Sequence, residues 1–211
     1  MAKPSQKTAC LGPNAILQTI EVLDKNVGRN LRTVVLLQAG VEVPPPNAGM
    51  LPETDCAAVH DALRTLLPAR AEGLLHDSGL ATGDYLLRHR FPGAAKAALR
   101  LLPRPLAARV LARAIARNAW TFAGSGGFEV TGTEPLTFKV TGNPLIKGAR
   151  ADRPICHWHA AVFERLFTQL VWPNARVIET ACAASGAPCC CFEVHPVAVA
   201  WPQDAGTRRA A

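Results

Sequence analysis

Glu179-Thr-Ala-Cys182-Ala-Ala-Ser-Gly186-Ala-Pro-Cys189-Cys190-Cys191-Phe192 holds four of the seven cysteines of this chain. Thiolates and a carboxylate gathered this closely point to a metal site, and zinc is the ion whose tetrahedral shell takes such ligands. The same stretch reads as a turn. Ser185-Gly186-Ala187-Pro188 folds one strand-like run, residues 176–182, back on a second, residues 190–199. That ribbon carries Glu179 and Cys182 on one strand and brings Cys190 across from them. Cys156, at the start of the preceding helix, closes the tetrahedron from below. Three thiolates and one carboxylate would fill the shell and leave no open position for water or substrate, the pattern of a structural site. Spacing alone keeps a second reading open, in which the cysteines are buried small hydrophobes, because the C-x-x-C pair of zinc fingers is absent.

Working outward from this ribbon, residues 154–171 read as a helix with Val162, Phe163, Leu166, Phe167 and Leu170 on its inner side. Before it, residues 128–131 and 136–140 alternate like strands, joined by Gly132-Thr-Glu-Pro135. Pro196 interrupts the last strand-like run and predicts an edge strand, since proline cannot donate to a ladder. Upstream the texture is helical. Ile16, Leu17, Ile20, Leu23 and Val27 form an apolar stripe after Pro13, a second helix spans about 30–38, and Pro44-Pro45-Pro46 is a stiff connector. Thr54 or Asp55 can cap a helix carrying Val59, Ala62, Leu63 and Leu66. Pro68 starts another that is expected to end near Gly79, with a new helix after Thr82 and Asp84. In the helix from about 106 to 120, Leu106, Val110, Leu111, Ala114 and Ile115 are expected inward, with Arg109, Arg113 and Arg117 on another face. The predicted architecture is α+β. A helical region (1–120) packs on a small antiparallel sheet with a long helix (121–201), and a polar tail (202–211) follows.

Composition bounds the function. With 211 residues and 49% hydrophobic side chains the chain can bury a core. It has no apolar run of the ~18–20 residues that cross a bilayer. Its N-terminal residues are polar and lack the pattern of a secretory signal, so the expected location is cytoplasmic, with peripheral attachment to the photosynthetic membrane as a further option. The net charge of +7 suits anionic lipid, nucleic acid or carboxylated small molecules. The lack of aromatic-basic interleaving argues against nucleic acid.

Three further features are candidates for binding. Gly124-Ser125-Gly126-Gly127 fails as a phosphate loop, because it follows a helix and leads into a strand. It reads better as a turn beside Trp120 and Phe122, aromatic candidates for lining a pocket. Arg109, Arg113 and Arg117, four residues apart, either grip carboxylates or form a solvated face. His157 either reaches a ligand, as an axial group to a tetrapyrrole metal, or is a surface histidine.

Cys156-His-Trp-His-Ala-Ala-Val-Phe-Glu164, followed by Glu179-x-x-Cys182-x-Ala-x-Gly186-x-x-x-Cys190-x-Phe192, resembles the 4-vinyl reductase domain family. That family includes the sensory domains of phenol-responsive activators and, more distantly, TRAPP tethering subunits. In the sensory domains one Cys, one Glu and two further Cys hold a zinc. The resemblance places that set on Cys156, Glu179, Cys182 and Cys190, and leaves Cys189 and Cys191 outside it. Gly12-Pro-Asn-Ala-Ile, Asp84-Tyr-Leu-Leu-Arg-His-Arg-Phe-Pro92, Ala119-Trp-Thr-Phe-Ala-Gly-Ser-Gly126 and Asn143-Pro144 extend the similarity to the bacteriochlorophyll-synthesis branch of the family. The resemblance implies a role at the reduction of the 8-vinyl (4-vinyl) group of a porphyrin or chlorophyllide intermediate. It implies tetrapyrrole as ligand, enzymes of that synthesis as partners, and a homodimer as a possible assembly. No dinucleotide, flavin or ferredoxin-type motif accompanies it. A tetrapyrrole carrier or accessory factor is therefore the first expectation, the reductase itself the second and a ligand sensor the third. The pocket is expected between the cysteine clasp and the helices before it.

Overall fold

The structure, a computed structural model, describes residues 8–196. Prolines set most of the helix starts. β1 (Cys10–Leu11) leads into α1 (Asn14–Asn26) through Pro13, and α2 (Arg29–Ala39) lies between Gly28 and Gly40. β2 (Leu51–Pro52) pairs antiparallel with β1 and leads directly into α3 (Glu53–Leu66). α4 (Pro68–His89) begins on its own proline, α5 (Gly93–Leu101) follows Pro92, and α6 (Arg104–Arg117) follows Pro103. The first helical turn leaves its N–H groups unbonded, so a residue without one costs nothing there. α7 (Trp120–Ala123) is a single turn where the sequence predicts loop.

The helical half departs from expectation in three places. α4 runs unbroken through Gly79 and Gly83, where a stop and a new cap are predicted. The two glycines instead meet α8 (His157–Leu170). A Cβ at Gly79 would lie 2.7 Å from the Ala161 Cβ and would also strike the Trp158 carbonyl oxygen, and one at Gly83 would lie 2.6 Å from the Arg165 Cβ. The missing side chains let two backbones touch, and Arg165 locks the contact by donating to both Asp84 carboxylate oxygens at 2.7 and 3.0 Å. In α1 the buried face is Ala15, Ile16, Thr19, Val22 and Leu23, turned from the predicted stripe so that Leu17 and Ile20 are only half-buried. Thr19 tolerates burial because its hydroxyl donates to the Ala15 carbonyl at 2.9 Å. In α6 the inward residues are Ala107, Ala108, Leu111, Ala112 and Ile115, while Leu106 and Val110 are exposed. Small alanines let that helix lie close to the sheet; the larger side chains go out.

The sheet comprises β3 (Gly127–Thr133), β4 (Leu136–Thr141), β5 (Arg176–Ala181) and β6 (Cys190–His195), antiparallel in the order β3-β4-β6-β5. β6 is therefore central, not an edge. Pro196 lies just beyond its last paired residue, His195, and interrupts nothing. Positions 197–199 of the predicted run, like the predicted tail 202–211, lie outside the described residues. One face of the sheet presents Leu136, Phe138 and Val140 from β4 and Cys190, Phe192 and Val194 from β6, all buried, with Phe138 opposite Phe192. α8 covers this face with Phe163, Leu166, Phe167 and Leu170. The two-residue period of the strands and the 3.6-residue period of the helix thus meet in one core. The order of hairpin, helix and hairpin agrees with the predicted α+β class.

Candidate functional site

The clasp of residues from the quoted ribbon forms where three chain segments converge. Residues 179 and 182 are three apart, so in a regular strand their side chains would point to opposite faces. A bulge corrects this: the register of β5 on β6 shifts between Glu179 and Ala181, and a 3₁₀ turn (Ala183–Ser185) follows, closed by Gly186 at φ 91°. Cys190 reaches the same point from the start of β6. Cys156 arrives at the residue that precedes α8, with its backbone N–H donating to Glu179 Oε2 at 2.7 Å.

The four donor atoms lie within 4.8 Å of one another. The Cys156 sulfur is 3.9 Å from that of Cys182 and 3.5 Å from that of Cys190. Zn–S bonds of ~2.3 Å at a tetrahedral centre would separate sulfurs by about 3.8 Å, so the set fits zinc as it stands. All three thiols are buried, and Glu179 Oε1 is buried with no hydrogen-bond partner, a lone pair that a cation would satisfy. Asn143 reinforces the cluster: its amide donates toward Cys156 Sγ at 3.3 Å and Cys190 Sγ at 3.8 Å, and its Oδ1 accepts from the Leu145 N–H.

The electrostatics are those of a site short of positive charge. Hydrogen bonds to Cys182 and Cys190, then burial, raise the Cys156 pKa. Burial pushes Glu179 up to about 8, against the hydrogen bond from Cys156. At Cys190 the contact with Cys156 pulls down, but Cys182 and burial outweigh it and push the thiol up to about 12. Cys182, receiving hydrogen bonds from both other thiols, is shifted down and is the natural thiolate. Arg64, in the last turn of α3, stands nearby. Burial lowers its pKa against the pull of Asp61, Cys156 and Cys182. Its Nη2 donates to the Leu145 carbonyl at 2.9 Å, and its Nε is buried without a partner. Neither Asn143 as a ligand support nor Arg64 as a counter-charge is foreseen from sequence, because both come from segments outside the ribbon. With four protein donors the arrangement can clamp a metal and fasten the last hairpin to α8, and it offers no position for substrate.

Cys189 and Cys191 point away from this cluster, with sulfurs 3.7 Å apart on the other side of the strand. The space between the clasp and the helices, where a pocket is expected, is solid: Cys56, Val59, His60 and Trp158 are all buried there. His60 Nε2 donates to the Ala15 carbonyl at 3.0 Å. The Gly124–Gly127 loop neither binds phosphate nor seats Trp120. Ser125 donates its N–H (2.8 Å) and hydroxyl (2.7 Å) to the buried Glu53 carboxylate and so ties α3 to the sheet.

A groove of about 490 Å³ opens instead at the far end of β6, between α6, the turn joining β3 and β4, and Trp172. Pro105, Ala108, Leu136, Trp172 and Val194 line it, with Arg109, Glu134 and His195 as polar members. Five residues of strand at ~3.4 Å each put roughly 17 Å between Cys190 and His195, so groove and clasp are separate. A shallower cavity of about 280 Å³ lies outside α3, beside Thr54, Asp61 and Lys147.

Of the six side chains expected at a ligand, only Arg109 lines the groove. Arg113 and Arg117 are exposed farther along α6, and Trp120 is 60% exposed. Phe122 packs edge-on against Phe128 and Phe163 in the core. His157 is half-buried near Glu72, 4.0 Å away, with its pKa lowered by burial. It sits at the opposite end of the ~20 Å-long α8 from Trp172. These residues are dispersed because helical phase, not spacing along the chain, decides what faces a pocket.

Comparison with known proteins agrees with this architecture. The 4-vinyl reductase domain matches residues 136–196, the segment that holds all four clasp residues. The bacteriochlorophyll synthase 23 kDa chain of Rhodobacter capsulatus is 58% identical over 194 residues, covering 92% of this chain and 90% of that one. The protein of the same name from Cereibacter sphaeroides is 53% identical over 186 residues, covering 88% and 90%. Among solved structures, an Fe(II) unliganded H-NOX protein from K. algicida, a mutant form, superposes with a TM-score of 0.57 over 87% of this chain and 95% of that one. At 13% identity this likeness concerns the fold. With identity above one half across nearly the whole length, and the 4-vinyl reductase domain around its clasp, this chain belongs to the family of the bacteriochlorophyll synthase 23 kDa chains.

Proposed function

We propose that this chain serves bacteriochlorophyll synthesis by binding a tetrapyrrole intermediate, as a carrier or accessory factor at or near reduction of the 8-vinyl (4-vinyl) group. We further propose that Cys156, Glu179, Cys182 and Cys190 hold a structural zinc. The names of its relatives support the pathway. The groove is the observation that supports the ligand. A macrocycle is flat and apolar with propionates at one edge. The groove floor is Leu136, Val194, Ala108 and Trp172, with the Arg109 guanidinium free to pair a carboxylate at the rim. Reduction of a vinyl to an ethyl group takes two electrons and two protons, and the carrier reading assigns their supply to a partner enzyme.

Titration of the purified protein with divinyl protochlorophyllide tests the reading. A shifted Soret band saturating at micromolar pigment is expected, weakened about tenfold or more in Arg109→Ala, the scale of one charge-assisted hydrogen bond. No shift refutes pigment binding. Formation of the 8-ethyl product by the purified protein with NADPH or reduced ferredoxin overturns the carrier in favour of the reductase.

A further inference from the structure

The charge of this chain is concentrated in one place. Residues 85–128 contain eight lysines and arginines and no aspartate or glutamate, which accounts for the net +7 and leaves the remainder of the chain near neutrality. This stretch builds α5 and α6. At ~3.6 residues per turn, Leu106, Arg109, Val110, Arg113 and Arg117 share an arc of about 100° on α6, opposite the buried Ala107, Leu111 and Ile115. The aliphatic residues predicted to face the core thus stand in solvent among the arginines. Leu101, between the two helices, is 86% exposed, Leu106 43% and Val110 37%. Among the described residues, none of Arg109, Arg113 and Arg117 has a carboxylate partner.

Exposed aliphatic side chains and unpaired guanidinium groups on one face match the two layers of an anionic membrane surface. Leucine and valine tips enter the boundary between headgroups and acyl chains, arginines pair with lipid phosphates, and an exposed tryptophan such as Trp120 favours the same depth. A polyanion without an apolar layer would take the arginines and leave Leu101 and Leu106 in water. No helix of the described residues is long and apolar enough to cross a membrane, so the contact would be flat. We propose that the α5–α6 face docks this chain on an anionic lipid bilayer, with Leu101, Leu106 and Val110 in the interface and Arg113 and Arg117 on the phosphates. The proposal rests on exposure and charge and stands whether or not the groove takes pigment. Arg109 belongs to both, so a docked chain would open its groove beside the lipid.

Flotation of the full chain with vesicles tests this, using phosphatidylcholine alone or mixed with phosphatidylglycerol, at low and high salt. Binding to the mixed vesicles is expected, at least about tenfold weaker to phosphatidylcholine and screened by salt. Arg113→Gln with Arg117→Gln lowers partitioning on the order of 25-fold, at roughly fivefold per cation near an anionic surface. Leu101→Ser with Leu106→Ser lowers it on the order of tenfold. All four side chains are exposed, so melting temperatures are expected to match the parent; Leu101→Gln with Leu106→Gln replaces any serine pair that melts early. Absence of binding to mixed vesicles, equal binding to neutral ones, or unchanged partitioning in either folded pair overturns the proposal. So does a parent dimer in sedimentation velocity that the leucine variants disperse, which would assign the face to a second copy of the chain.

Discussion

Gly73 and Gly79 occupy the interior of the same helix, and replacing each with alanine should move stability in opposite directions. The intrinsic gain is shared: alanine favours a helix interior by about 0.8–1.0 kcal/mol over glycine. At Gly73 nothing lies within 4 Å of the added Cβ, so Gly73→Ala should keep that gain, worth about 2–4 °C in melting temperature for a domain of this size. At Gly79 the new carbon would meet the Trp158 carbonyl oxygen and lie 2.7 Å from the Ala161 Cβ, both fixed to the α8 backbone. Ordinary contact begins near 3.4 Å, so the helices must part by about 0.7 Å. A gap of that size forfeits a quarter to a half of the dispersion energy along the seam, and overpacking of this kind costs about 3 kcal/mol when rigid groups collide. The net is a loss of about 2 kcal/mol, or roughly 4–8 °C. Thermal melts followed by circular dichroism, with urea midpoints as a second measure, compare the two variants. If Gly79→Ala is stabilised as much as Gly73→Ala, the close approach of α4 and α8 is wrong, and the glycine regains its reading as a helix terminus.

Cys182→Ser and Cys190→Ser should each lose zinc by elemental analysis and melt early, because a structural zinc contributes folding energy directly. Cys189→Ser and Cys191→Ser should retain it, and metal content unchanged in the first pair refutes the site. Burial holds the His60 pKa at about 3 and the His159 pKa at about 4, against 6.5 ordinarily. Above 6.5 neither folded nor unfolded chain binds these protons and their contribution is constant. As pH falls from 6.5 toward 4 only the unfolded chain takes them up, so stability is lost at up to about 1.4 kcal/mol per pH unit per histidine. Urea midpoints across this window should fall less steeply in His60→Leu, whose Ala15 carbonyl still accepts from Thr19. A slope identical to that of the parent refutes neutral burial of His60.

The donor set was legible before any coordinates because its residues are close in sequence and chemically distinctive. Glu179, Cys182 and Cys190 span one turn, and only Cys156 had to be brought from a distance. The bulge at Glu179/Ala181 that aims two of them to one side left no sign in the residues, since Thr180 looks like any strand residue. Pro196 misled for a related reason: a proline says that its N–H is unavailable, and whether a ladder needed that N–H depends on where the strand ends. The groove was invisible because Arg109, Leu136, Trp172 and Val194 come from four separate segments.

The order of hairpin, helix and hairpin, the helical half before it and the identity of the clasp residues follow from the sequence by itself, because turn chemistry, periodicity and ligand type are local properties. Tertiary structure alone decided that Gly79 and Gly83 join two helices rather than end one. It also turned Leu106 and Val110 outward beside the arginines, and put the open groove at the opposite end of β6 from the metal donors. Each of those outcomes depends on which backbone approaches which, and that is settled by the close packing of distant segments into one core.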